Sequence, residues 1–183
     1  MASGADRISA LPDEFLHHVM SFLPAHDVVS TSLLAWRWHW HDLWKSAPAL
    51  RVTGINGCTD PPCFIRFVDN LLLLRHPGAR LDAFVIDLEE RDFYFKPFLP
   101  AYERSVNLWF RHALLSQVRI LSLRTTSGLY VYKEESPPFE LPDVPIISQH
   151  LTRLHLARAT LRSITLDLSG CPALVELKME GNA

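Results

Sequence analysis

The chain has 183 residues, of which 48% are apolar and 10% aromatic, enough to bury the core of about one domain. Wholesale disorder is therefore excluded. Lys and Arg number 18 against 20 Asp and Glu, a net charge of −2 with neutral histidine, so no global field draws polyanions or anionic lipid, and histone-like and polybasic membrane classes lose their main support.

In chain order, Asp6, Pro12, Asp13 and Glu14 fall where a secretory signal needs an uninterrupted apolar stretch. The first strong pattern follows: Phe15, Leu16, Val19, Met20 and Leu23 recur at helical spacing after Leu11-Pro12 and stop at Pro24. Pro12 is expected in the first helical turn, where its missing N–H costs nothing, and Asp13 and Glu14 suit a helix N-terminus. Asp27 is expected to cap a second helix running through Val28, Val29, Leu33 and Leu34. A third helix is expected from Trp36 to Lys45. Three helices this short make too little core to stand alone, so their apolar faces need a partner or the rest of the chain.

These residues resemble an F-box in its plant form, followed by leucine-rich repeats. The resemblance rests on Asp6-Arg7-Ile8-Ser9, Leu11-Pro12-Asp13-Glu14, Ser21-Phe22-Leu23-Pro24, the segment from Val28 to Thr31, and the Trp-rich end running into Leu43-Trp44-Lys45. It implies docking onto a Skp-family adaptor and, through that adaptor, a cullin and a RING subunit. Carried over position by position, the implied adaptor-facing set is Leu11, Pro12, Phe15, Val19, Leu23, Val28 and Leu33. The stretch from Trp36 to Trp44 is about two residues longer than the family pattern, a rotation of about 200° on a helix. Either Trp40 and Trp44 keep the family positions and join the set, or the third helix is re-registered.

Gly54, Gly57 and Thr59-Asp60-Pro61-Pro62 read as a linker. Phe64, Phe67, Val68, Leu71 and Leu72 then form a helical stripe, stopped by His76-Pro77-Gly78. Phe84, Ile86 and Leu88 alternate as in a half-buried strand. A second stripe, Val106, Trp109, Phe110, Ala113 and Leu114, leads into Val118-Arg119-Ile120-Leu121-Ser122-Leu123. Leu151-Thr152-Arg153-Leu154-His155-Leu156 and Leu174-Val175-Glu176-Leu177-Lys178-Met179 match an L-x-x-L-x-L template 23 residues apart, with the copy at 118 to 123 lying 33 residues earlier. A polar, Pro-rich insertion from Thr125 to Pro145 accounts for the longer interval. The fold class expected is α+β or an α/β repeat: a three-helix F-box at 6–50, a linker at 51–62, and a short irregular leucine-rich-repeat solenoid over 63–183. The final repeat strand is expected to be an open edge of a short or truncated array.

The chemistry expected is binding. Three thiols, Cys58, Cys63 and Cys171, are too few for a disulfide framework or a RING zinc site, and they read as free thiols in a reducing compartment. His39 and His41 lie two apart and point away from each other on a helix, unlike a zinc pair. No phosphate loop, dinucleotide fingerprint, nucleophile elbow or H-E-x-x-H helix occurs. Catalytic, metal and cofactor sites are therefore expected to be absent. The Trp36-Arg37-Trp38-His39-Trp40 alternation could stack on single-stranded nucleic acid, but the F-box resemblance places it in a packed helix. Neither nucleic acid nor membrane is an expected partner. The longest aliphatic block, Leu71 to Leu74, is far below the roughly 20 residues of a membrane helix.

The function implied by the resemblance is that of a non-catalytic substrate receptor of a Skp-cullin-F-box ubiquitin ligase, working inside the cell, in the nucleus or the cytoplasm. It would act by holding a target protein near the conjugating enzyme. The alternatives are a short F-box protein that occupies the adaptor without presenting substrate, and a repeat-only protein-binding module.

Overall fold

Two β-propensity patterns of period two and two amphipathic patterns of period 3.6 alternate through the middle of the chain, and the fold follows them. The computed structural model describes residues 11–34, 42–53, 58, 60–89, 99–126, 139–141, 146–157, 159–161 and 166–180. Helices α1 (Asp13–Met20) and α2 (Ala25–Leu34) are followed by a 3-10 turn (Leu43–Ser46) and strand β1 (Ala49–Thr53). Then come α3 (Pro61–Leu73), β2 (Ala83–Glu89), α4 (Leu99–Leu115), β3 (Ile120–Thr126), β4 (Phe139–Leu141), β5 (Arg153–Ala157), β6 (Ala159–Leu161) and β7 (Glu176–Glu180).

Strands β1, β2, β3, β5 and β7 form one parallel sheet whose spatial order is their chain order, and β4 pairs with β6 in a separate parallel ribbon. The register repeats one motif. Ala47, Leu81, Val118 and Leu151 are fully buried just before β1, β2, β3 and β5, and Leu174 holds the equivalent place before β7. Three and five residues beyond each lie Leu50/Val52, Phe84/Ile86, Leu121/Leu123, Leu154/Leu156 and Leu177/Met179, which stand side by side across the ladder; the first four pairs are buried, and on the end strand Leu177 is exposed. Each step is tied in the same way. The Pro48 carbonyl accepts from the N–H groups of Asp82 and Ala83, that of Asp82 from Arg119 and Ile120, that of Arg119 from Thr152 and Arg153, and that of Thr152 from Val175 and Glu176, all within 2.7–3.2 Å.

Helices α3 and α4 fill the crossovers after β1 and β2. Asp60 caps α3, its carboxylate accepting from Cys63 N–H at 2.7 Å, with prolines in the first turn. Gly78, at φ +79°, makes the turn after it, a conformation with no Cβ penalty for glycine. Phe64 and Trp109 meet edge to face at 6.0 Å, and Trp109 Nε1–H donates to Asp69 Oδ1 at 2.7 Å. One core runs from Leu16 and Met20 of α1 through these helices to Leu154 and Leu156 of β5.

Several expectations are corrected. Pro12 sits one residue before α1 instead of inside its first turn, its carbonyl accepting from Phe15 and Leu16 N–H. Asp27 does not cap α2: the helix starts two residues earlier because the Pro24 carbonyl accepts from Val28 N–H at 3.0 Å, leaving Asp27 in the first turn. Of the third helix expected from Trp36 to Lys45, residues 36–41 lie outside the described residues, and the described end is a 3-10 turn. Strand β1 has no counterpart among the expectations. It straddles residues 50 and 51, and the segment expected as linker opens in strand.

Candidate docking surface

Helix α1 has two apolar faces. Leu16 and Met20, one turn apart, are buried, and α1 packs there against the 3-10 turn that carries buried Leu43 and Trp44. A second stripe points outward: Leu11 (43% exposed), Phe15 (61%), Val19 (54%) and Phe22 (65%), at intervals of four, four and three residues along one side. Four large apolar side chains aligned on solvent differ from singly scattered surface leucines, which are ordinary.

The support beneath the stripe is polar and specific. The His17 imidazole Nε2 lies 3.2 Å from the Leu43 carbonyl, and Arg51 Nε of β1 donates to the Ser21 carbonyl at 2.8 Å. The end of α1 closes tightly, with Phe22 N–H donating to Val19 O and Leu23 N–H to Met20 O. The Phe22 ring stands against His18, centroids 5.1 Å apart and perpendicular. Phe22 thus extends the stripe past the helix end. Its spacing from Val19 is the signal that marks it, although the resemblance to the family's adaptor set does not include it.

The other expected positions fall differently. Pro12 is exposed beside Leu11, and Leu23 is half-buried against the core. Val28 is buried under α2, where that helix packs on β1 and the 3-10 turn, and its carbonyl accepts from Ser32 Oγ at 2.8 Å. Trp44 is buried in the core. The side chain of Leu33 and all of Trp40 lie outside the described residues. Leu11, Phe15 and Val19 therefore share the exposed face and Pro12 is exposed at its start, while Val28 and Trp44 face the chain's own interior.

Residues 8–48 match the F-box domain. The chain carries an F-box domain. The matched residues end just past the 3-10 turn, immediately before the first strand of the sheet. Along nearly its whole length the chain is similar to an F-box/FBD/LRR-repeat protein of Arabidopsis thaliana, 31% identical over 98% of this chain and 44% of the relative. It is also similar to an FBD-associated F-box protein of the same plant, 29% identical over 96% of this chain and 42% of that protein. A further FBD-associated F-box protein of Arabidopsis thaliana is 48% identical over 38% of this chain and 16% of its own length. The chain spans about two-fifths of the relatives that it matches end to end. No solved structure matches it.

Away from the F-box, a groove of about 730 Å³ opens between the C-terminal ends of α3 and α4, lined by Leu73, Leu108, Leu115, His112 and Arg75 among others. The Arg75 guanidinium is committed to backbone carbonyls, Ala47 at 2.9 Å, Arg80 at 3.1 Å and Ala79 at 3.5 Å, and so ties the end of the F-box to the turn before β2. Burial and the Arg75 charge push the His112 imidazole below its ordinary pKa. Among the described residues no group of three or more His, Cys, Asp or Glu side chains is placed to hold a metal ion, and no helix is long and apolar enough to cross a membrane.

Proposed function

We propose that the chain is a non-catalytic receptor subunit of a Skp-cullin-F-box ubiquitin ligase, docking a Skp-family adaptor through α1 and holding a target protein on the strand array. The observation that carries this reading is the stripe of Leu11, Phe15, Val19 and Phe22, solvent-exposed on a helix whose opposite face is packed. A helix laid with such a face in a partner's groove buries a few aromatic and aliphatic anchors, which supply most of an interface's affinity. Val28 and Trp44 contribute from beneath, by fixing the platform on which α1 stands. The match of residues 8–48 to the F-box domain supplies the adaptor class.

The five-stranded parallel ladder, with an apolar triplet that is buried in its first four copies and a shared carbonyl at each of its four steps, supports reading residues 47–180 as a short leucine-rich solenoid in which each unit packs its apolar side chains against its neighbours. In this reading the F-box ends at about residue 48 and the array begins at Ala47, without a linker between them. Catalysis by the complex then needs only proximity: the bound target sits at high effective concentration near the charged conjugating enzyme, and this chain supplies no acid, base or nucleophile.

The test is co-purification of the full chain with a plant Skp-family adaptor, beside a Phe15→Asp, Val19→Asp double variant. Both residues are exposed, so the variant is expected to fold, and two carboxylates in a dry interface should abolish the complex. A folded double variant that still co-purifies at wild-type yield would overturn the assigned surface.

A further inference from the structure

Arg75 stands just past the end of α3, only 9% exposed, and carries a charge that no neighbouring acid matches. The carbonyls of Ala47, Ala79 and Arg80 accept from its two terminal nitrogens and orient the guanidinium, but a carbonyl is a dipole and not a counter-ion. Its Nε–H has no partner among the described residues, and no described carboxylate lies within ion-pair distance of it. Arg80, five residues on, shows the ordinary arrangement: its Nε meets Asp82 Oδ1 at 3.0 Å. A guanidinium taken out of water is usually paired, because an uncompensated buried charge is costly. The C-terminal end of α3 offsets about half a unit of charge. The rest is unmatched.

Arg75 lines the groove of about 730 Å³ between the C-terminal ends of α3 and α4, a size usual for ligand sites. Leu73 of α3 and Leu108 and Leu115 of α4 also line it, and all three are exposed. Three large apolar side chains around one concavity differ from leucines scattered singly over a surface. His112 lies between Leu108 and Leu115 on the same side of α4 and feels the Arg75 charge, which adds to burial in lowering its pKa. Arg104 and Arg111, exposed four residues before and three residues after Leu108, continue the positive charge along that helix. The carboxylate in the lining, Asp69, accepts from Trp109 Nε1–H at 2.7 Å and so ties α3 to α4 beside the groove. The groove is therefore built into the fold, apolar along its sides and cationic within. None of its lining residues belongs to α1 or to a strand.

We propose that this groove is a second docking site, which takes a segment of a partner protein carrying a carboxylate between large apolar side chains. The carboxylate accepts from Arg75 and supplies the missing counter-charge, as guanidinium groups commonly receive from carboxylates. Its apolar neighbours cover Leu73, Leu108 and Leu115. The same geometry disfavours other anionic partners. A flat anionic bilayer does not reach a guanidinium this deeply set, and a single-stranded nucleic acid finds no open ring to stack on, because Trp109 is buried. The site is separate from the α1 stripe and from the strand array, and it does not depend on the ligase reading.

The experiment selects binders to the full chain from a displayed library of random peptides, then titrates synthetic copies of the enriched sequences by fluorescence polarisation. The enriched peptides are expected to share an Asp or Glu flanked by Leu, Phe or Trp, and changing that acid to its amide should weaken binding about tenfold or more. Leu108→Glu and Leu115→Glu, both at exposed positions and so expected to fold, should each weaken binding to a similar degree. On Arg75→Gln, with folding checked by circular dichroism, the acid and amide peptides should bind alike. If that variant does not fold, the two leucine variants and the acid-to-amide comparison on the wild type carry the test. The proposal is overturned if no peptide is enriched, if the enriched peptides lack an acid, if acid and amide forms bind the wild type equally, or if neither leucine variant weakens binding. Binding to phosphatidylserine vesicles that the enriched peptides do not displace would also overturn it, in favour of a membrane contact.

Discussion

Helices α1 and α4 are both amphipathic, and the structure treats them oppositely. In α4, Val106, Trp109, Phe110 and Ala113 are at most 3% exposed, packed beside α3 in the core that they share with the sheet's apolar side chains. In α1, half of the apolar side chains are covered and the other half, Phe15 and Val19 with Leu11 and Phe22 at the ends, are left on solvent. Apolar periodicity says which residues share a face. It does not say whether the chain has anything to cover that face, and the uncovered one is where a partner is expected.

If the comparison holds, the covered region carries the stability and the uncovered one does not. The largest effect is expected in the covered region: Phe84→Ala removes a fully buried ring from β2 and should cost about 3–5 kcal/mol in urea denaturation. A loss below about 1 kcal/mol would mean that the sheet's inner face is not the core described above.

The seam between the regions should respond next. Arg75→Ala leaves the Ala47 and Arg80 carbonyls without their guanidinium donor, and a buried acceptor stripped of its partner costs about 1–3 kcal/mol. Amide exchange should rise first around Ala47 and the turn before β2. Unchanged exchange there would show that Arg75 does not join the F-box to the array.

The smallest effect concerns pH. The depressed pKa of His112, caused first by burial and then by Arg75, means that the unfolded chain binds the proton more readily than the folded one. The stability that His112 contributes is therefore present above its ordinary pKa of 6.5 and is lost as pH falls below it toward the folded value. Urea midpoints between pH 7.5 and 5 should slope downward with acid, and His112→Gln should flatten part of that slope. Identical slopes in the two proteins would remove His112 from this account.

Legibility from sequence follows the same division. The stripes of α3 and α4 and the strand pattern from Phe84 onward were readable because each is long, periodic and bounded by proline, glycine or polar turns. Strand β1 was not, because its copy of the repeat reads Ala47-Pro48-Ala49-Leu50-Arg51-Val52, with alanine where the later copies hold leucine or valine and with a proline inside. Only the register, which sets Leu50 beside Phe84 and Val52 beside Ile86, reveals it. A cut at residue 50 falls inside this strand, so point substitutions in α1 separate docking from folding better than deletion does. Within the candidate site, Phe15 and Val19 were legible from spacing and resemblance together. The inward turn of Val28 and Trp44 depends on how α2 and the 3-10 turn seat on β1, a non-local fact with no local signature.

The most direct test of the docking surface compares neighbours on one helix. Phe15→Ala and Leu16→Ala differ by one position and by exposure, 61% against 5%. Calorimetric titration with the Skp-family adaptor and urea denaturation should be run on both. Phe15→Ala is expected to leave the unfolding midpoint within about 0.5 kcal/mol of wild type and to weaken adaptor binding by about 2 kcal/mol or more. Leu16→Ala is expected to lose about 2–5 kcal/mol of stability while its folded fraction binds nearly as wild type. The reverse pattern, or undiminished binding by Phe15→Ala, would contradict the assignment of α1's exposed stripe as the docking surface.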